Sequence, residues 1–125
     1  MNRLRAALFL FLTALSALSL PALAAQPAAA YRAAPRWEAQ VGSTTVDVTP
    51  SMQRIEAGAR NPHRNDGTRF QNRERRLPAG GTYTEYVVPT PGVRGPGPKR
   101  IVVNGEGRAW YTPDHYAHFY PVTKR

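Results

Sequence analysis

Glu85 and Arg100 sit in two stretches of alternating residues, Thr-Tyr-Thr-Glu-Tyr-Val-Val at 82–88 and Lys-Arg-Ile-Val-Val at 99–103. Strict alternation of β-branched and aromatic side chains predicts a strand for each, joined through the Pro/Gly-rich segment 89–98. Alternate side chains share a strand face, so Tyr83, Glu85 and Val87 form one set, while Arg100 and Val102 oppose Ile101 and Val103. With the Ile101/Val103 face packed inward, Arg100 turns to solvent, where the Glu85 carboxylate can meet it. A carboxylate and a guanidinium on one sheet face can take a proton and hold an anion. The same two residues can also form an ordinary cross-strand ion pair, and taken alone they leave both readings open. Taken alone, His115 reads as a turn histidine, and Glu74, between Arg73 and Arg75-Arg76, reads as a loop salt bridge. His115 and His118 are three apart on a segment that reads as extended, so they diverge, and no cysteine supplements them. A zinc site is excluded on that reading, which leaves His118 as a surface residue.

These residues must be positioned by a small domain. The chain has 125 residues and no cysteine, so one core without disulfides has to carry the fold. Residues 1–25 read as an export signal: Arg3 and Arg5, an apolar run over 6–20, then a small-x-small ending at Ala22-Leu23-Ala24. A mature protein outside the cytoplasm, secreted or periplasmic and free of the membrane once cleaved, is therefore expected. Loss of Arg3 and Arg5 with the leader leaves +7 of the formal net charge of +9. That excess favours a polyanionic partner.

Residues 26–48 are expected to be an Ala/Pro-rich linker running into a segment with partial alternation and no clear turn logic. The domain is then expected over 49–125. Thr49-Pro50 reads as N-cap and first helical position, Gly58 as the stop, and Met52, Ile55 and Ala59 as one face. The cluster Asn61-Pro62-His63-Arg64-Asn65-Asp66-Gly67 reads as a loop. Asn104-Gly105 marks a hairpin into a strand at 108–111, and 115–122 alternates as a last strand. Together these predict an α+β domain, one short helix packed on a four- to five-stranded antiparallel sheet.

Four segments now stand in one order: Phe70-Gln71-Asn72-Arg73-Glu74 with Leu77-Pro78; Tyr83-Thr84-Glu85-Tyr86 with Thr90-Pro91-Gly92; Arg100-Ile101-Val102; and Tyr111-Thr-Pro-Asp-His115-Tyr116-Ala-His-Phe119. This order resembles the secreted guanyl-specific ribonucleases of bacteria, the barnase-like microbial ribonucleases, over about residues 67–119. The resemblance implies an endoribonuclease that cuts single-stranded RNA 3′ of guanosine. Its 2′-hydroxyl attacks the adjacent phosphate, and the resulting 2′,3′-cyclic phosphate is opened by water, with no metal or cofactor. It implies Glu85 as general base, His115 as general acid, Arg100 as the cation on the phosphate and Tyr116 as a hydroxyl donor to it. An acid and a base working together give a bell-shaped pH profile.

By the same resemblance Glu74 accepts the N1–H and exocyclic amine of guanine, a pair of donors that adenine lacks at that edge. Gln71, Asn72 and Arg73 form the loop whose backbone amides meet the base carbonyl, and Phe70 and Arg73 are candidates for its faces. The family also implies a possible acidic, barstar-like inhibitor protein, and nothing demands more than a monomer. One departure stands out: the family's second arginine, four residues before Arg100, is Pro96 here. Arg94 and Lys99 are the candidate replacements. Without one, the alternatives are a catalytically weakened RNA-binding protein on the same fold, or a toxin defined by its inhibitor.

Overall fold

In the computed structural model, which describes residues 33–125, the neighbours Ile101 and Val102 both have no exposed surface. Adjacent side chains of a strand point to opposite faces, so this strand is covered on both sides. The expected leader and the start of the expected linker lie outside the described residues. Among the described residues, no helix is long and apolar enough to cross a membrane.

The elements in chain order are β1 (Trp37–Val41), β2 (Thr44–Asp47), α1 (Thr49–Glu56), β3 (Thr68–Phe70), β4 (Tyr83–Val87), β5 (Arg100–Asn104), β6 (Ala109–Thr112) and β7 (Tyr120–Lys124). They form one sheet in the order β2-β1-β7-β6-β5-β4-β3, with every pairing antiparallel. The sheet has seven strands rather than the expected four to five. The two strands at one edge come from residues 37–47, which sequence reading left unplaced beside the linker. They close over the two-residue turn Gly42-Ser43, with Gly42 at φ 58°. The alternation there is too brief to announce itself, and pairing to β7 is what stabilises it.

One core lies between α1 and the sheet, built from Trp37, Ala39, Val48, Met52, Ile101, Ala109 and Tyr111. The other face carries Leu77, Tyr83, Val102 and Trp110, with Phe70 and Phe119 packed against them. The helix starts one residue earlier than expected. Val48 is its N-cap and makes no side-chain capping bond, while Asp47 Oδ1 accepts the Thr49 N–H at 2.8 Å. Met52 and Ile55 face the core as expected, but Ala59 lies beyond the helix and is exposed. Gly58, at φ 68°, occupies the left-handed position that ends it.

Arg54 and Asp66 hold this helix to the sheet. The buried Asp66 carboxylate takes Arg54 Nη1 and Nη2 at 2.9 and 3.0 Å, the Asn61 N–H at 2.9 Å and the Val87 N–H at 2.9 Å. Burial alone would raise its pKa, but the Arg54 hydrogen bonds and the two backbone donors prevail and hold it below the usual carboxylate value.

Candidate active site

Glu85 lies at the centre of β4, directly opposite Val102 on β5 and Thr68 on β3. Directly paired residues share a face, so Thr68, Phe70, Tyr83, Glu85, Arg100 and Trp110 all belong to the side of the sheet away from α1. Thr68 Oγ1 donates to Glu85 Oε1 at 3.1 Å, and the Tyr116 hydroxyl donates to Glu85 Oε2. Burial, then the neighbouring Glu85 carboxylate, push the Tyr116 hydroxyl up to about 12, with Arg100 opposing. Tyr116 thus keeps its proton at any physiological pH and acts as a donor.

Arg100 shares the Glu85 face, as expected, through the register Glu85↔Val102 and Val87↔Arg100, but it does not turn to solvent: only 1% of it is exposed. Its Nη1 donates to the carbonyls of Gly97 and Lys99 at 2.7 and 2.8 Å, its guanidinium carbon lies 5.9 Å from the Tyr116 ring centre, and its Nε is buried without a partner. Among the described residues no ion pair joins it to Glu85. Arg100 is covered because the loop after β6 folds over it, and alternation along one strand carries no information about that loop.

That loop also corrects the expected strand at 115–122, since β7 begins only at Tyr120. His115 and Tyr116 have φ of 54° and 72°, the left-handed region. Two short side chains hold them there. Thr112 Oγ1 accepts the Tyr116 N–H at 3.0 Å and donates to Asp114 Oδ1 at 3.0 Å, and Asp114 takes the His118 N–H at 3.0 Å. The His118 ring nitrogen Nδ1 lies 2.6 Å from Asp114 Oδ2. Burial raises the Asp114 pKa, but the His118 and Thr112 hydrogen bonds outweigh it and lower it to about 2. His118 is exposed, as expected, but it is tied to Asp114 and not free.

Phe70 stacks on Tyr116, with ring centres 5.2 Å apart and planes 24° apart, and meets Phe119 edge-on at 5.7 Å. These rings floor a hollow of about 380 Å³. Eight of the ten expected site residues line it: Phe70, Gln71, Asn72, Arg73 and Glu74 on one wall, Glu85, His115 and Tyr116 on the other. Arg100 lies beneath Tyr116 and outside the lining. Arg94 is exposed on the 89–98 loop and does not reach the hollow. Sequence reading missed Asn65, Arg69, Arg76 and Phe119, which also line it. Phe119 was within the quoted motif; the arginines carried no spacing signal.

The wall at 71–74 is shaped by Asn72. Its side chain donates to the Leu77 carbonyl at 2.9 Å and accepts the Leu77 N–H at 3.1 Å, closing a loop in which Asn72 and Arg75 both have positive φ. The backbone N–H groups of Asn72, Arg73 and Glu74 have no acceptor within the described residues. Glu74 is exposed and takes Arg76 Nε at 2.7 Å. The hollow thus offers carboxylates, a permanent hydroxyl donor, an imidazole, free amides and a basic rim of Arg69, Arg73 and Arg76. Such a set suits proton transfer beside a phosphate ester in a polyanion.

The fold and this hollow define a nuclease of the small α+β kind, and comparison with known proteins gives the family. The ribonuclease family model matches residues 22–123, and the chain belongs to that family. It is 44% identical over 75 residues to guanyl-specific ribonuclease St of Saccharopolyspora erythraea, covering 58% of this chain and 74% of that one. It is 43% identical over 77 residues to guanyl-specific ribonuclease Sa of Kitasatospora aureofaciens, covering 58% and 79%. A crystal structure of ribonuclease Sa2 with guanosine-2′-cyclophosphate matches with a TM-score of 0.53 at 39% identity, over 58% of this chain and 79% of that one. Ribonuclease Sa2 with 3′-GMP matches with a TM-score of 0.52 at 37% identity.

Proposed function

We propose that this protein is a guanyl-specific endoribonuclease that cleaves single-stranded RNA 3′ of guanosine through a 2′,3′-cyclic phosphate. The observation that carries the reading is the single hollow in which the 70–74 wall faces Glu85, His115 and Tyr116. A guanine held on that wall puts its own ribose and 3′-phosphate toward the three reacting groups.

Glu85 accepts the proton of the 2′-hydroxyl as the 2′-oxygen bonds to phosphorus. His115, protonated, gives its proton to the departing 5′-oxygen. In the second step the roles reverse: His115 takes a proton from water as the water oxygen bonds to phosphorus, the bond from phosphorus to the 2′-oxygen breaks, and Glu85 returns the proton to the departing 2′-oxygen. The Tyr116 hydroxyl passes from Glu85 to a phosphate oxygen, and Arg100 beneath it offsets the charge that grows there. Glu74 accepts two donors from guanine and none from adenine, and the free amides at 72–74 meet the base carbonyl. Losing two such hydrogen bonds supports a selectivity of about 10² or more.

The chain is exported by its leader, works as a monomer, and presents a basic rim that would steer an acidic inhibitor protein as well as RNA. Phosphorus NMR of guanylyl-(3′,5′)-uridine during incubation tests the reading: guanosine 2′,3′-cyclic phosphate must appear first and then convert to the 3′-phosphate. A weakened RNA-binding protein would leave the dinucleotide intact.

A further inference from the structure

Arg76 hydrogen-bonds across the hollow, from the wall that carries Glu74 to the loop that carries His115 and Tyr116. Its Nε donates to Glu74 Oε2 at 2.7 Å, and its Nη1 donates to the carbonyl of Ala117 at 2.9 Å, one residue after Tyr116. The guanidinium is planar and rigid, so these two bonds fix the Glu74 carboxylate relative to the loop that carries His115 and Tyr116. Nothing else holds Glu74: its side chain is exposed and makes no other hydrogen bond within the described residues. An unrestrained glutamate at that place would sample several rotamers, and most of them would point its oxygens away from a base on the wall.

We propose that Arg76 is a specificity-determining positioning residue, which aims the Glu74 carboxylate at the base and sets the distance between base recognition and the reacting groups. The inference rests on the guanyl-specific reading above. A carboxylate oxygen has two acceptor directions, so Arg76 can occupy one side of Oε2 and leave Oε1 and the other side of Oε2 for the two guanine donors. Arg76 acts through Glu74 and needs no contact with RNA. Lysine cannot replace it, because a single ammonium does not span the two acceptors in one plane.

The test compares kcat/KM for guanylyl-(3′,5′)-uridine and adenylyl-(3′,5′)-uridine in the wild type, Arg76→Met and Arg75→Asn. Arg75→Asn removes the same charge from the adjacent exposed residue, whose left-handed φ of 55° suits asparagine. The guanine-to-adenine ratio should fall about three- to fivefold in Arg76→Met, mostly through KM for the guanine substrate, as loss of one exposed charged pair predicts. Arg75→Asn should keep the wild-type ratio, and Arg76→Lys should fail to restore it. An unchanged ratio in Arg76→Met, or an equal fall in Arg75→Asn, overturns the role of Arg76 while leaving the guanyl-specific reading intact. A wild type that cuts neither dinucleotide overturns both. Thermal melts accompany the kinetics, so that a variant that does not fold is recognised, and the ratio is then read in Arg76→Gln.

Discussion

The Tyr116 hydroxyl donates to Oε2 of Glu85, which ties the loop after β6 to the middle of β4 and occupies one of the two oxygens of the proposed base. Thr68 holds the other oxygen at 3.1 Å. Glu85 is thus fixed from both sides, and substrate must take over the place of the Tyr116 hydroxyl at Oε2.

Tyr116→Phe removes a donor and leaves the ring stacked on Phe70. The rate of cyclic-phosphate formation should drop by about 10², the usual cost of one preorganised donor, with little change in thermal stability. Because the hydroxyl titrates only at about 12, the variant's pH profile should match the wild type's in shape and differ in height up to about pH 10. Stopped-time assays across pH give both readings.

Asp66→Asn breaks the buried bidentate pair with Arg54 and should cost about 3 kcal/mol at neutral pH, as removal of one partner of a buried pair does. For a domain of this size that is a fall in Tm of about 10–20 °C. The sign with pH follows from the lowered pKa of Asp66. Its contribution is complete above the unfolded carboxylate value and is lost as pH falls through the lower folded value. Melts of both proteins should therefore converge as the pH drops below 3.8.

Asp114→Asn loosens the left-handed turn at His115 and Tyr116 without touching either. Turnover at neutral pH should fall by about tenfold, as a slightly misplaced reacting group would cause. In the wild type the carboxyl is lowered to about 2, so the turn stays held above the normal carboxylate range and is released as pH falls through about 2. Hydrogen exchange of the His118 amide, which donates to Asp114, follows this directly.

Arg100→Met leaves the Gly97 and Lys99 carbonyls without their shared donor and removes the cation under Tyr116. Turnover should fall by about 10²–10³. Limited proteolysis at residues 89–98 should speed up, since Arg100 helps to pin the end of that loop beside the His115 N–H bond to the Pro98 carbonyl.

The central strands were legible in the sequence because alternation there is long and strict. The hairpin after Asn104 was legible from the Asn104-Gly105 pair, and in the structure the Asn104 side chain accepts the N–H groups of both Glu106 and Arg108. The Glu85–Arg100 face followed from parity together with an inward Ile101/Val103 face, but the burial of Arg100 did not, since it depends on a loop that closes from a distance. The segment 115–119 read as a strand because Tyr, His and Phe alternate there, and only the hydrogen bonds of Thr112 and Asp114 turn it into a loop. Asp66 sat among turn formers, where nothing distinguishes a buried clamp from a surface aspartate. Arg76 looked like one more charge in a basic run.

Incubation of the purified chain with a single-stranded RNA oligonucleotide that contains one guanosine, in EDTA, followed by mapping of the fragment ends, tests the central claim most directly. The account predicts a single cut on the 3′ side of the guanosine, a 2′,3′-cyclic phosphate on the upstream fragment, and a loss of about 10²–10⁴ in rate for Glu85→Gln. Intact RNA at enzyme above substrate concentration, or cuts placed without regard to guanosine, would contradict it.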